Sequence, residues 1–220
     1  MDWLRAVNSY CERTGPGYWA EPVNALSNAA FLVAAWLAWR LAARAGDRAG
    51  QGLALVLGAI GVGSWLFHTH AQVWAMLADV VPIQIFILAY LAVATVRFFG
   101  APWWGGAAAA LAFVPASLAV ARGIEAVAGP LNGSASYLPV PLLIGLYALL
   151  LRRRAPEAAR GLAVGAGMLA VSLFFRTVDA AVCPAFPLGT HFLWHLINAA
   201  MLWWMIRVLV RGWRGVAVGP

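Results

Sequence analysis

The chain has 220 residues, 63% of them hydrophobic and only 10% charged, with a formal net charge of +7. So apolar a composition excludes disorder, argues against a soluble globule and places the chain in the membrane class. All fifteen basic residues are arginine, so no lysine can form a retinal Schiff base and a light-driven seven-helix protein is excluded too.

In chain order, the first twenty residues carry Arg5, Glu12, Arg13 and other polar groups without the apolar run of a signal peptide. This segment is therefore expected to stay on the mature protein. Crossing the hydrocarbon layer takes about 20 mostly apolar residues. Seven stretches qualify, over roughly 23–43, 52–69, 79–99, 106–121, 137–151, 161–178 and 190–210. The punctuation RLAARAGDRAGQG follows the first, RFFGAPWWGG the third, RRRAPEAARG the fifth and VRGWRG the seventh, while the fourth and fifth spans look short. Trp19, Trp103, Trp104, Trp203, Trp204 and Trp213 fall near predicted span ends, the depth that tryptophan prefers. The prediction is an all-α membrane protein: one seven-transmembrane helix bundle over residues 1–220, with 1–22 an extramembrane segment packing at the site.

Seven spans put the termini on opposite sides. Arg40, Arg44, Arg48, Arg97, Arg152, Arg153, Arg154, Arg160, Arg207, Arg211 and Arg214 share the side of the C-terminus, against Arg5, Arg13, Arg122 and Arg176 on the other. That bias predicts an N-terminus outside and a cytoplasmic C-terminus. Topology and anionic lipid then account for the basic charge, and nucleic acid need not be invoked. The abundance of Ala, Gly and Arg points to a GC-rich bacterial gene, hence an inner membrane with the outer end of the bundle in the periplasm.

The polar residues gather at that outer end. His68 closes the second span, and His191 and His195, four apart and so on one helix face, open the seventh. Gly61, Ser64 and His68 also share a face, Asn198 extends the His191/His195 stripe, and His70, two residues past His68, points elsewhere. Asp79 opens the third span on the same side, where a helix-capping role competes with a catalytic one. Ionisable groups at membrane depth mark functional sites by default. Three imidazoles plus a water make up the ligand set of a catalytic zinc, which lowers the pKa of that water toward roughly 7. Asp79 is the carboxylate available to take the water's proton, and Ser64 can donate a hydrogen bond to the oxyanion of an attacked carbonyl. The residues thus point to a metal-dependent hydrolase reached through apolar helices, with a lipid as substrate. Two other readings use the same side chains: a lipid-binding or receptor-like protein that holds the metal without turnover, and axial ligation of haem.

The whole chain resembles the alkaline ceramidases, on YCER at 10–13, EPVNALSN at 21–28, GVGSWLFH at 61–68, Asp79, RTVDAAVC at 176–183 and HFLWHL at 191–196. The resemblance implies a zinc site of His68, His191 and His195 with Ser64 and Asp79 catalytic. The reaction it implies is hydrolysis of the amide bond of a ceramide or related N-acyl lipid; no obligate protein partner is evident in the sequence. It also implies calcium on Glu12 and Glu21, although Ser9 stands where the family usually has aspartate and Thr14 where it usually has asparagine. Glu21, Asn24 and Asn28 follow a helical spacing that predicts an inward polar stripe. The two cysteines, Cys11 and Cys183, both fall outside by the charge rule, and an oxidising compartment would let them pair. The resemblance points to the same disulfide, clamping the N-terminal segment over the site.

Overall fold

The computed structural model describes residues 2–216, with side chains described through residue 212; Trp213 and Arg214, counted above, have side chains outside the described set. The described residues are helical apart from loops and a single antiparallel bridge between Ala6 and Gln72. Seven helical segments are long and apolar enough to cross a membrane, and the chain is a multi-pass membrane protein. Large apolar side chains such as Trp36, Leu55, Leu111 and Phe174 face outward, as lipid-facing positions require.

The first crossing is made of two helices, α1 (Pro22–Ser27) and α2 (Ala29–Arg44), joined at Asn28. Pro22 starts α1 with a φ already suited to a helix, and the Asn28 amide donates back to the Asn24 carbonyl at 2.9 Å. Glu21, Asn24 and Asn28 are all buried, so the polar stripe faces the bundle.

Helix α3 (Arg48–His70) is capped by Asp47, whose carboxylate accepts from the Gly50 N–H at 2.8 Å. The same carboxylate takes both ends of the Arg97 guanidinium, at 2.6 and 2.8 Å. Burial pushes the Asp47 carboxyl up, but Arg97 and the N–H groups of the helix start outweigh it and hold the group below the ordinary aspartate range. A carboxyl with a depressed folded pKa contributes stability that is complete above its unfolded pKa and lost as pH falls through the folded one. Asp47→Asn should therefore destabilise the fold at neutral pH by about 1.5–3 kcal/mol for the lost charge-assisted bonds, read as a lower melting temperature. The deficit should shrink in strongly acidic buffer, and thermal melts of both proteins from pH 7 down to pH 3 test this.

Helix α3 stops at Ala71, held in a left-handed conformation (φ 46°). Its carbonyl accepts from the Val7 N–H at 2.8 Å, so the N-terminal segment braces the turn. Helix α4 (Val73–Phe99) starts two residues later and runs back along α3. This corrects the sequence reading of Asp79 as the residue that opens the third span. Gln72 is the N-cap, and Asp79 lies nearly two turns inside α4, so it caps nothing. The polar and small residues of HAQVWAMLA hid the helix start from a hydropathy reading. The backbones of α3 and α4 meet at Gly63, where a Cβ would stand 1.9 Å from the Ala78 carbonyl oxygen. Only glycine allows that approach, and it brings the Ser64 turn against the Asp79 turn.

Helix α5 (Trp103–Ala128) is longer than the span expected over 106–121. A 3-10 turn (Leu131–Ser136) leads into α6 (Pro139–Leu151), and together they complete the fifth crossing. Helices α7 (Pro156–Val182) and α8 (His191–Val216) close the bundle. Leu57 of α3, Phe98 of α4, Leu162 of α7, and Ile206 and Leu209 of α8 pack in the core.

Candidate metal centre

The three histidines come together at one end of the bundle. His68 is in the last turn of α3, and His191 and His195 are in the first two turns of α8. All three are buried to 1% exposure or less. One ring nitrogen from each lies within 4.8 Å of the others. Within that span the three nitrogens can grip one small ion.

The orientation of the rings follows from what holds them. His68 Nδ1 is hydrogen-bonded to Glu21 Oε2 at 2.6 Å, and His195 Nδ1 to Ser27 Oγ at 2.7 Å. That leaves His68 Nε2, His195 Nε2 and His191 Nδ1 buried with no protein partner. An orphaned buried nitrogen is costly, and three gathered together form a donor set that fits a tetrahedral divalent ion with one position to spare. A partner on the far nitrogen is the usual way in which a protein orients a histidine toward a metal.

The N-terminal segment covers this cluster. The Tyr10 ring stacks on His191 at a centroid distance of 3.6 Å, and its hydroxyl accepts from Arg176 Nη1 at 2.9 Å. Burial pushes the Tyr10 phenol up to about 12, with the Arg176 charge opposing, so this ring is neutral at working pH. A disulfide joins Cys11 to Cys183. Beside it, Asp179 is fully buried in α7 and receives three backbone N–H groups: Cys11 at 3.0 Å, Thr190 at 2.7 Å and His191 at 2.9 Å. One carboxylate thus ties the N-terminal segment and the start of α8 to α7. Neither this role of Asp179 nor that of Ser27 was read from the sequence. The available signal was an aspartate inside an apolar helix, four residues before a cysteine.

His70 stands apart, exposed, with its ring edge against Tyr18 and Trp74. Ser64 and Asp79 face the cluster from α3 and α4, and with His195 and Asn198 they line the polar end of a cavity. The rest of that cavity is apolar, with Phe31, Ile83, Phe86, Leu91, Leu162 and Met205 among its walls. Along α4 it runs from Asp79 to Ala94, about 22 Å at 1.5 Å per residue.

Glu12 and Glu21 are buried near the cluster but face N–H donors rather than an open space. Glu12 accepts from the Val23 and Asn24 N–H groups at 2.7 and 2.8 Å. Burial pushes its carboxyl up, against the pull of those two bonds. Glu21 is held by the Arg13 Nε, the Asn24 side-chain amide and His68. Burial pushes its carboxyl up as well, but the hydrogen bonds and charges of His68 and Arg13 outweigh burial and hold it below the usual glutamate range. A cation site for calcium needs six to eight oxygens directed at one point. With a guanidinium lodged against Glu21, this donor set does not fit calcium.

Seven helical crossings, with three buried imidazoles that could hold a metal ion at the end of a mostly apolar cavity, define the class: a multi-pass membrane protein with a candidate metal site. The family model described as Ceramidase matches residues 7–211, and the chain belongs to that family, whose members are hydrolases acting on amide bonds. No curated protein matches the chain.

Proposed function

We propose that this protein is a zinc-dependent intramembrane amidase that cleaves a ceramide or related N-acyl lipid to a sphingoid base and a fatty acid. The observation that carries the reading is the set of orphaned nitrogens on His68, His191 and His195, at the end of an apolar cavity that also holds Asp79 and Ser64. His68, His191 and His195 would hold the ion. When bound, zinc supplies a Lewis acid and a water of lowered pKa.

The chain's own groups do the rest. The apolar length of the cavity takes an alkyl chain and sets the amide carbonyl at the polar end, a positioning that lowers the barrier by removing orientational freedom beforehand. Asp79 accepts the proton of the attacking water on a carboxylate oxygen. It returns that proton to the amide nitrogen as the C–N bond breaks, so the amine leaves neutral and the acyl carbon keeps the water oxygen. Ser64 donates a hydrogen bond to the carbonyl oxygen as negative charge builds there. Tyr10, fixed by Arg176 and by the Cys11–Cys183 link, shields the His191 ring from water.

The arginine distribution supports an N-terminus outside and a cytoplasmic C-terminus, with the site at the periplasmic face of a bacterial inner membrane. A disulfide beside the site suits that compartment.

The deciding experiment is elemental analysis of the purified protein followed by incubation of the same sample with labelled ceramide and a panel of other lipid amides. The expected result is about one zinc per chain and release of fatty acid from at least one lipid amide. Zinc with no product from any lipid amide or ester would replace the enzyme by a lipid-binding protein.

A further inference from the structure

The donor set around Glu21 does not fit calcium because a side chain already fills it. Arg13 is 7% exposed, and each nitrogen of its guanidinium is engaged. Nε donates to Glu21, Nη1 to the carbonyls of Gly15 at 3.1 Å and Gly17 at 3.5 Å, and Nη2 to the His68 carbonyl at 2.7 Å. One carboxylate and three peptide carbonyls thus converge on a single positive charge. Carboxylate and backbone carbonyl oxygens are the ligand types that a hard divalent cation recruits, yet here a guanidinium with its planar fork of donors takes them.

We propose that Arg13 is a built-in cation. It takes the structural place that a bound divalent ion would hold in this oxygen cluster, and so makes the protein independent of calcium. The guanidinium ties residues 13–17 to the last turn of α3 and neutralises Glu21 from the side opposite His68. Glu21 in turn holds His68 Nδ1 at 2.6 Å, which leaves Nε2 turned into the histidine cluster. Arg13 is therefore a positioning residue that acts on His68 through Glu21. A covalently attached cation differs from a bound ion in one testable way: it cannot be titrated out, and no ion can add to it. Removing it leaves a buried carboxylate and three carbonyls around an opening from which the guanidinium has gone. Such a pocket should then accept the ion that the native protein refuses.

The experiment uses the full chain in detergent, in buffer freed of divalent ions over chelating resin and resupplied with zinc. Calcium binding is read by isothermal titration, and thermal stability with and without millimolar calcium, with magnesium as the ionic control. The native protein is expected to bind no calcium and to melt at the same temperature in both buffers. Arg13→Ala should lower the melting temperature by roughly 6 °C or more, since it strands a buried charge. It should weaken zinc binding about 10- to 100-fold through the loosened Glu21–His68 pair, and calcium should restore a large part of both losses. Arg13→Lys keeps a positive charge beside Glu21, so it should recover stability partly and gain no response to calcium.

Stoichiometric calcium binding by the native protein, or a melting temperature that rises with calcium but not magnesium, would overturn the proposal. So would an Arg13→Ala protein that folds and keeps native zinc affinity. If Arg13→Ala does not fold, the native titration and the Arg13→Lys protein still decide the matter. The inference rests on His68 as a metal ligand only for its zinc readout. The calcium titration stands apart from it, so failure here and failure of the amidase reading give different results.

Discussion

Purified His195→Ala protein is expected to contain little or no zinc and to lose activity by roughly 10³–10⁴-fold, the rate equivalent of several kcal/mol of lost Lewis-acid stabilisation. The reason is geometric. His195 is at the centre of the cluster, with ring centroids 4.7 Å from His68 and 4.6 Å from His191. Its Nδ1 is tied to Ser27 and its Nε2 has no protein partner. Alanine leaves two imidazoles, too few for a tight divalent site of this kind. The bundle itself should survive, because the start of α8 is still held by Asp179. Ser27→Ala offers a graded comparison: the ring remains but loses its second-nitrogen partner, and zinc affinity should fall about 10- to 100-fold. Elemental analysis, a competitive zinc titration and a thermal melt on each protein check the three statements. Native zinc content in His195→Ala would remove the histidine cluster from the mechanism.

The second large effect belongs to Asp79→Asn. This protein is expected to keep its zinc and its melting temperature while turnover falls about 10²–10⁴-fold, the usual contribution of a positioned general base. Asp79 is not one of the three residues grouped around the metal position, so the exchange should not disturb binding of the ion. It lines the cavity beside Ser64, on the helix that Gly63 brings close to α3. Asparagine has nearly the same shape and presents the same carbonyl oxygen, but it cannot take up a proton and pass it to the leaving amine. Substrate binding should hold, because the apolar wall from Ile83 to Ala94 is untouched. Single-turnover kinetics with labelled ceramide, alongside zinc content, separates the two effects. Full turnover with Asn at position 79 would assign the base elsewhere.

These two outcomes test residues that the sequence singled out, and much of the surrounding fold was legible there as well. Seven apolar stretches correspond to seven helical crossings. The short fourth and fifth spans are a correction of length: Trp103–Ala128 is a full crossing, and the 3-10 turn at Leu131–Ser136 extends the fifth. Small and polar residues near helix ends dilute hydropathy without interrupting the backbone ladder. The same dilution placed Asp79 at the mouth of a helix rather than inside it.

Composition and periodicity alone determined the membrane class, the number of crossings and the shared faces of His191 with His195 and of Ser64 with His68. Transfer free energy accumulates residue by residue, and side chains repeat every 3.6 positions, so such properties are local to a segment. Tertiary structure alone decided which buried polar groups became partners. Glu21 turned to Arg13 and His68, Ser27 to His195, and Asp179 to the amides of Cys11, Thr190 and His191. The Glu21–His68, Ser27–His195 and Asp179–Cys11 choices depend on segments 47, 168 and 168 residues apart approaching within about 3 Å. A hydrogen bond or ion pair in an apolar interior goes to whichever donor the packing delivers, and no single segment encodes that delivery.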